Sequence, residues 1–157
     1  MSESTSINRR AALGIAGGAA LALGVASRAG AQDATPAPRV IPTPDPSLAF
    51  KVVLHVASQD GWPPAVSNLN HLTTVYTNAK VQVVVDGTGI YALTAENDIT
   101  AKLKIFAAAG ADLQVCGAAL GEHNIDPNVI PEYITIVAGG VIALVEAQVD
   151  GFAYVKP

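Results

Sequence analysis

The sequence predicts an α/β protein: a single small doubly wound domain of about five mostly parallel strands with helices on both faces. Three observations lead there. Short runs rich in Val, Ile and Leu recur from residue 50 to the end of the chain, the composition of strands. The segments between them carry apolar residues at helical spacing. The strand runs are apolar along most of their length, as strands of a parallel sheet covered on both faces are.

The elements follow in order. "FKVVLHVA" (50–57) is the first strand. "PPAVSNLNHLTTVYTNA" is a helix opened by Pro63-Pro64, where a missing N–H costs little, with Val66, Leu69, Leu72 or Thr73, and Tyr76 on one face. "KVQVVVDG" is the second strand, ended by Asp86-Gly87. "AENDITAKLKIFAAAG" is a helix with Ile99, Leu103, Phe106 and Ala107 inward and Lys102 and Lys104 outward, stopped at Gly110. "ADLQVCG" is the third strand, a short helix follows, and "ITIVAGG" is the fourth strand. "VIALVEAQVDG" is a helix apolar almost all round, hence expected to be well buried. "FAYVKP" is the last strand.

Ahead of this domain (49–157) lie two other segments. Residues 1–31 read as an export signal: Arg9-Arg10, an Ala/Gly/Leu-rich run, then Ala29-Gly30-Ala31 as a small-residue cleavage site. The arginine pair resembles a twin-arginine signal, which routes the protein to the periplasm or otherwise out of the cytoplasm. Ala11-Ala12-Leu13 replaces the Phe-Leu-Lys usual after that pair. An ordinary secretory signal and an uncleaved anchor are the alternatives, although the run is short and Gly-rich for a spanning helix. Residues 32–48, "QDATPAPRVIPTPDPSL" with its five prolines, form an extended linker.

Net charge narrows the partners. The chain carries −4, and the first 31 residues hold Arg9, Arg10 and Arg28 against Glu3, so the remainder is at −6. An acidic domain without a basic cluster does not suit nucleic acid or an anionic membrane, and no stable membrane span is expected in the mature chain. No cofactor is implied. One cysteine and three scattered histidines lack zinc-ligand spacing, so no metal is expected. No Gly-x-Ser-x-Gly elbow or phosphate-binding loop appears.

In doubly wound folds the functional crevice lies beyond the carboxyl ends of the strands. Four segments fall there: His55 to Trp62, Asp86 to Tyr91, Cys116, and Gly139-Gly140. Cys116 is the only cysteine. It is either a buried, inert small hydrophobe or a reactive thiol, its thiolate favoured by a helix starting at Gly117. His55 lies within a strand and is a sheet-face histidine or a base at the strand end. Asp60 and Trp62 belong to a polar turn that either caps the first helix or lines the crevice. His123 is a loop residue or a partner for a thiolate. His71 reads as surface.

"KVVLHVASQD", "VQVVVDGTGI", "AAAGADLQVCGAAL", "IDPNVIP" and "GGVIALVEAQVDGFAYVKP", in that order and spacing, resemble the DsrE/DsrF-like family over Phe50 to Pro157. The resemblance implies a small α/β sandwich assembled as trimers or hexamers. It also implies a cysteine that accepts sulfane sulfur as a persulfide and passes it from a donor to an acceptor protein. The matching cysteine is Cys116, and no other catalytic residue carries over. The export signal departs from the cytoplasmic branches of the family and puts a role in tRNA thiolation in doubt.

Three functions compete. The first is a persulfide carrier, at most a sulfur-transferase-type protein rather than a full enzyme. It uses Cys116 as an accessible thiolate and needs no second cysteine, which would resolve the persulfide to a disulfide. The second is a small-ligand module whose crevice is lined by His55, Asp60, Trp62, Gly117, His123, Gly139 and Gly140, with Cys116 as packing. The third is a structural homo-oligomer, favoured by burial of Cys116 with no pocket beside it.

Overall fold

A computed structural model describes residues 41–157. The expected export signal and most of the expected linker lie outside the described residues. Five strands form one all-parallel sheet: β1 (Lys51–Val56), β2 (Lys80–Val85), β3 (Asp112–Cys116), β4 (Thr135–Val137) and β5 (Ala153–Val155), in spatial order β4-β3-β2-β1-β5. Helices α1 (Trp62–Val75), α2 (Asp98–Ala108), α3 (Gly117–Glu122) and α4 (Gly140–Val149) alternate with them. The strands expected from the sequence all form, in the expected order.

The topology decides which helix covers which face. From β1 to β4 the chain steps in one direction across the sheet, so right-handed crossovers place their helices on one face. The step from β4 back to β5 runs the other way and puts α4 on the opposite face. The period of two along each strand divides the core accordingly. Val52, Leu54, Val56, Val81, Val83, Val85, Leu113 and Val115 face α1 and α2 in a large cluster that includes Trp62, Leu69, Leu103 and Phe106. Val53 and Val84 face α4 in a small cluster with Ala143, Leu144 and Ala147, against which Val137 and Phe152 pack.

Local signals hold the helices in place. Asn97 caps α2 in a reciprocal box: its Oδ1 accepts from the N–H groups of Ile99 and Thr100 at 2.8 and 3.1 Å, and its own N–H donates to Thr100 Oγ1 at 2.9 Å. The "DGTGIY" segment is a 3-10 turn, Gly87–Leu93, rather than an open loop. Trp62 begins α1, one residue before the prolines; it is 1% exposed, and its Nε1–H donates to Gly89 O at 2.8 Å.

The last helix corrects one expectation. Its apolar composition implied full burial, yet only Gly140, Ala143, Leu144 and Ala147 are buried. Val141, Ile142, Val145 and Val149 form an exposed stripe along its outer side, Val149 being 84% exposed. The reason lies in the layering. Among the described residues α4 is the single helix on its face, so its inner side rests on the sheet through small residues and no described residue lies over its outer side. Among the described residues no helix is long and apolar enough to cross a membrane.

Candidate functional site

The parallel register lines up four side chains on the α4 face at the carboxyl ends of adjacent strands. His55 is paired with Val84 and Val53 with Tyr154. Val85 is paired with Val115, so Asp86 and Cys116 stand side by side one residue further on. Alternation turns Tyr154, His55, Asp86 and Cys116 toward the same face, in a row across β5, β1, β2 and β3, although Cys116, at the start of α3, also packs within the large cluster.

Three members of the row are hydrogen-bonded. His55 Nε2 lies 2.9 Å from Asp86 Oδ1, and His55 Nδ1 lies 2.7 Å from the Tyr154 hydroxyl. An ionised carboxylate only accepts, so Nε2 carries the proton and donates to Asp86. In the neutral ring Nδ1 then accepts from the Tyr154 O–H. The Tyr154 ring packs beside the imidazole, with centroids 5.8 Å apart.

Cys116 closes the row. It ends β3 and is the N-cap of α3, and its Sγ accepts the Ala119 N–H at 3.3 Å. The thiol is buried, with 6% of the residue exposed. It nevertheless forms part of the wall of an open cleft of about 300 Å³, lined with Asp86, Gly87, Ala118, Ala119, Glu122, Gly139, Gly140 and Val141. The cleft lies between the N-termini of α3 and α4. Gly139, the N-cap of α4, offers no side chain to that terminus, whose partial positive charge favours anions.

Two glycines make the cleft. A Cβ on Gly117 would stand 3.0 Å from Val137 O and 3.3 Å from Ile136 Cγ2, so only glycine lets α3 start this close to β4. A Cβ on Gly140 would stand 3.1 Å from Asp86 Oδ2 and 3.2 Å from Cys116 Cβ. Asp86 and Cys116 therefore flank one point on α4, where the missing side chain leaves room.

The other residues singled out by sequence are distributed differently. Gly139 and Gly140 stand with Cys116 at the cleft, and His55 joins it through Asp86; Gly117 follows Cys116 at the start of α3 but faces β4 rather than the cleft. Asp60 is exposed in a 3-10 turn, Gln59–Gly61. Trp62 is in the core on the other face of the sheet. His123 Nδ1 bonds the Tyr91 hydroxyl at 2.8 Å. The sequence placed Asp86 at the rim without assigning it a role, and Tyr154 passed as an ordinary strand residue. His71 lines a larger apolar groove of about 630 Å³ with Phe50, Val52, Leu54, Leu72 and Val155, away from Cys116; that groove offers little ionisable chemistry. Among the described residues no group of three or more His, Cys, Asp or Glu is placed to hold a metal ion.

Gly140→Ala is expected to destabilise the domain by about 1–3 kcal/mol, because Asp86 and Cys116 are anchored to strand ends and yield poorly. It should also narrow the cleft. Chemical denaturation measures the first effect, and the rate of Cys116 alkylation in the folded protein measures the second, with slower alkylation expected.

Comparisons with known proteins agree with this architecture. No curated protein matches the sequence. Among solved structures, a protein of unknown function, MTH1491 from Methanobacterium thermoautotrophicum, superposes with a TM-score of 0.64 at 22% identity, over 69% of this chain and 99% of that one. A conserved protein of unknown function, BT1422 from Bacteroides thetaiotaomicron, gives 0.56 at 11% identity, over 68% and 94%. The ychN protein from E. coli gives 0.55 at 12% identity, over 70% and 100%. At these identities the likeness is one of fold. The sequence itself matches the model of the DsrE/DsrF-like family over residues 40–157. With the all-parallel sheet and the motifs that run from β1 to β5, this match makes the chain a member of the DsrE/DsrF-like family.

Proposed function

We propose that this protein is an exported carrier of sulfane sulfur that holds it as a persulfide on Cys116. One observation carries the reading: the chain's single cysteine stands in the wall of an open cleft at the carboxyl end of β3, with the Ala119 N–H on its sulfur. Backbone donors that are already fixed in place stabilise an anionic sulfur without reorganising. With no second cysteine in the chain, a persulfide formed here has no internal thiol to resolve it. The family resemblance supports the same chemistry. Donor and acceptor are then other proteins or small thiols, and the twin-arginine-like segment at residues 1–31 supports a site of action outside the cytoplasm.

The exposed stripe of α4 supports a homo-oligomer. Val141, Ile142, Val145 and Val149 offer a second copy an apolar face, and burying one such side chain fully contributes about 1.5–3 kcal/mol. A trimer or hexamer is the expected assembly.

The 6% exposure of Cys116 favours a second reading, in which the thiol is packing in a ligand-binding or structural module. Intact-mass spectrometry separates the two. After brief polysulfide treatment, the carrier reading expects a gain of about one sulfur atom, reversed by thiol and absent from Cys116→Ser. A thiol that stays unmodified until the protein is unfolded establishes the packing reading. For the assembly, sedimentation of the purified protein should give an oligomer, and Val145→Lys should give a folded monomer. A wild-type monomer contradicts the α4 interface.

A further inference from the structure

We propose that Asp86, aimed into the cleft by His55 and Tyr154, is the proton shuttle of Cys116. The inference rests on the persulfide reading and adds to it the residues that make a buried thiol reactive.

A thiol must lose its proton to attack sulfur. With Cys116 6% exposed, bulk water has poor access to that proton, so a group inside the cleft has to take it. Two other ionisable side chains line the cleft, Asp86 and Glu122. Glu122 is at the last turn of α3 and exposed. Asp86 stands on the strand end next to Cys116, with its Oδ2 and the Cys116 Cβ against the same face of Gly140.

The remaining atoms of the row fix that carboxylate. His55 Nε2 holds Oδ1 at 2.9 Å, which leaves Oδ2 turned toward α4 and the cleft. The Tyr154 O–H donates to Nδ1 at 2.7 Å, which keeps the ring's one N–H proton on Nε2. Tyr154 is 42% exposed, so the row runs from solvent to the thiol across four strands. Asp86 is thus a catalytic residue in this scheme, and His55 and Tyr154 are positioning residues.

The step balances without an external oxidant. For a donor persulfide RS–SH, the Cys116 proton passes to Asp86 Oδ2. The thiolate attacks the outer sulfur, the new S–S bond forms on Cys116 as the donor's S–S bond breaks, and RS⁻ leaves with the bonding electron pair. Asp86 returns the proton to RS⁻. The products are Cys116 persulfide and RSH, and the carboxylate is restored.

The test is the rate at which a small alkyl persulfide loads Cys116 in the full chain, followed by time-resolved intact mass. Asp86→Asn should load about a hundredfold more slowly, the scale of general acid–base catalysis, and His55→Gln about tenfold, for loss of a charge-assisted hydrogen bond. Tyr154→Phe removes one hydroxyl from a half-exposed ring and should fold normally while loading several-fold more slowly. The deficit of Asp86→Asn should shrink as pH rises, because hydroxide then takes the proton; a variant that is merely misfolded shows no such recovery. The ionisable groups facing Asp86 are His55 from β1, Cys116 from β3 and Glu122 from α3. Wild-type loading with unchanged or faster loading in Asp86→Asn and His55→Gln overturns the shuttle and leaves the carrier standing. Wild-type protein that never loads overturns the carrier, and the shuttle with it.

Discussion

The six-residue parallel pairing of β1 with β2 is the constraint from which the site follows. Lys51 lies beside Lys80 and Val56 beside Val85, and β3 continues the register with Gln82 beside Asp112 and Val85 beside Val115. A shift of one residue in either pairing would turn every side chain of the shifted strand to the other face. Valines and leucines buried against α1 and α2 oppose such a slip, because it would move Leu54, Val83 and Val115 out of the large cluster. The hydrophobic core on one face therefore fixes the polar row on the other. Tyr154, His55, Asp86 and Cys116 meet because packing elsewhere leaves them no alternative.

The two faces of the sheet also divide the labour. The α1/α2 face holds most of the buried residues. The α4 face holds a small cluster and uses the freed space for chemistry. Glycines do for the helices what register does for the strands: Gly117 lets α3 begin against β4, and Gly140 lets α4 begin against Asp86 and Cys116. The cleft lies where these two helix starts converge, and its mouth borders the exposed stripe of α4 through Val141. Assembly on that stripe and access to the thiol are thereby neighbouring properties.

Much of this was legible in the sequence, for identifiable reasons. Strands one and two are Val-rich runs, the second ended by Asp86-Gly87, and strand three lies between Gly110 and Gly117, so the position of Cys116 at its end could be read locally. The Asn97 box and the Gly110 stop are also local signals. The bond between His55 and Tyr154 spans 99 residues of chain, and no local pattern announces it; only the pairing of β5 beside β1 brings the two together. Trp62 looked like a crevice residue because it follows a polar turn, but α1 begins at Trp62 itself and turns the indole into the core. α4 misled for another reason. Composition records how apolar a helix is, and only the layering of the sheet shows which side is covered from within the chain.

The most direct test of the account is a crystal structure of the protein after treatment with polysulfide. The account predicts an added sulfur atom on Cys116 Sγ, lying in the cleft between Ala118 and Gly140 and beside Asp86, with the His55 bonds to Asp86 and Tyr154 intact. An unmodified Cys116, in protein treated with polysulfide under conditions that convert a free small-molecule thiol to its persulfide, would contradict it and leave the thiol as a packing residue.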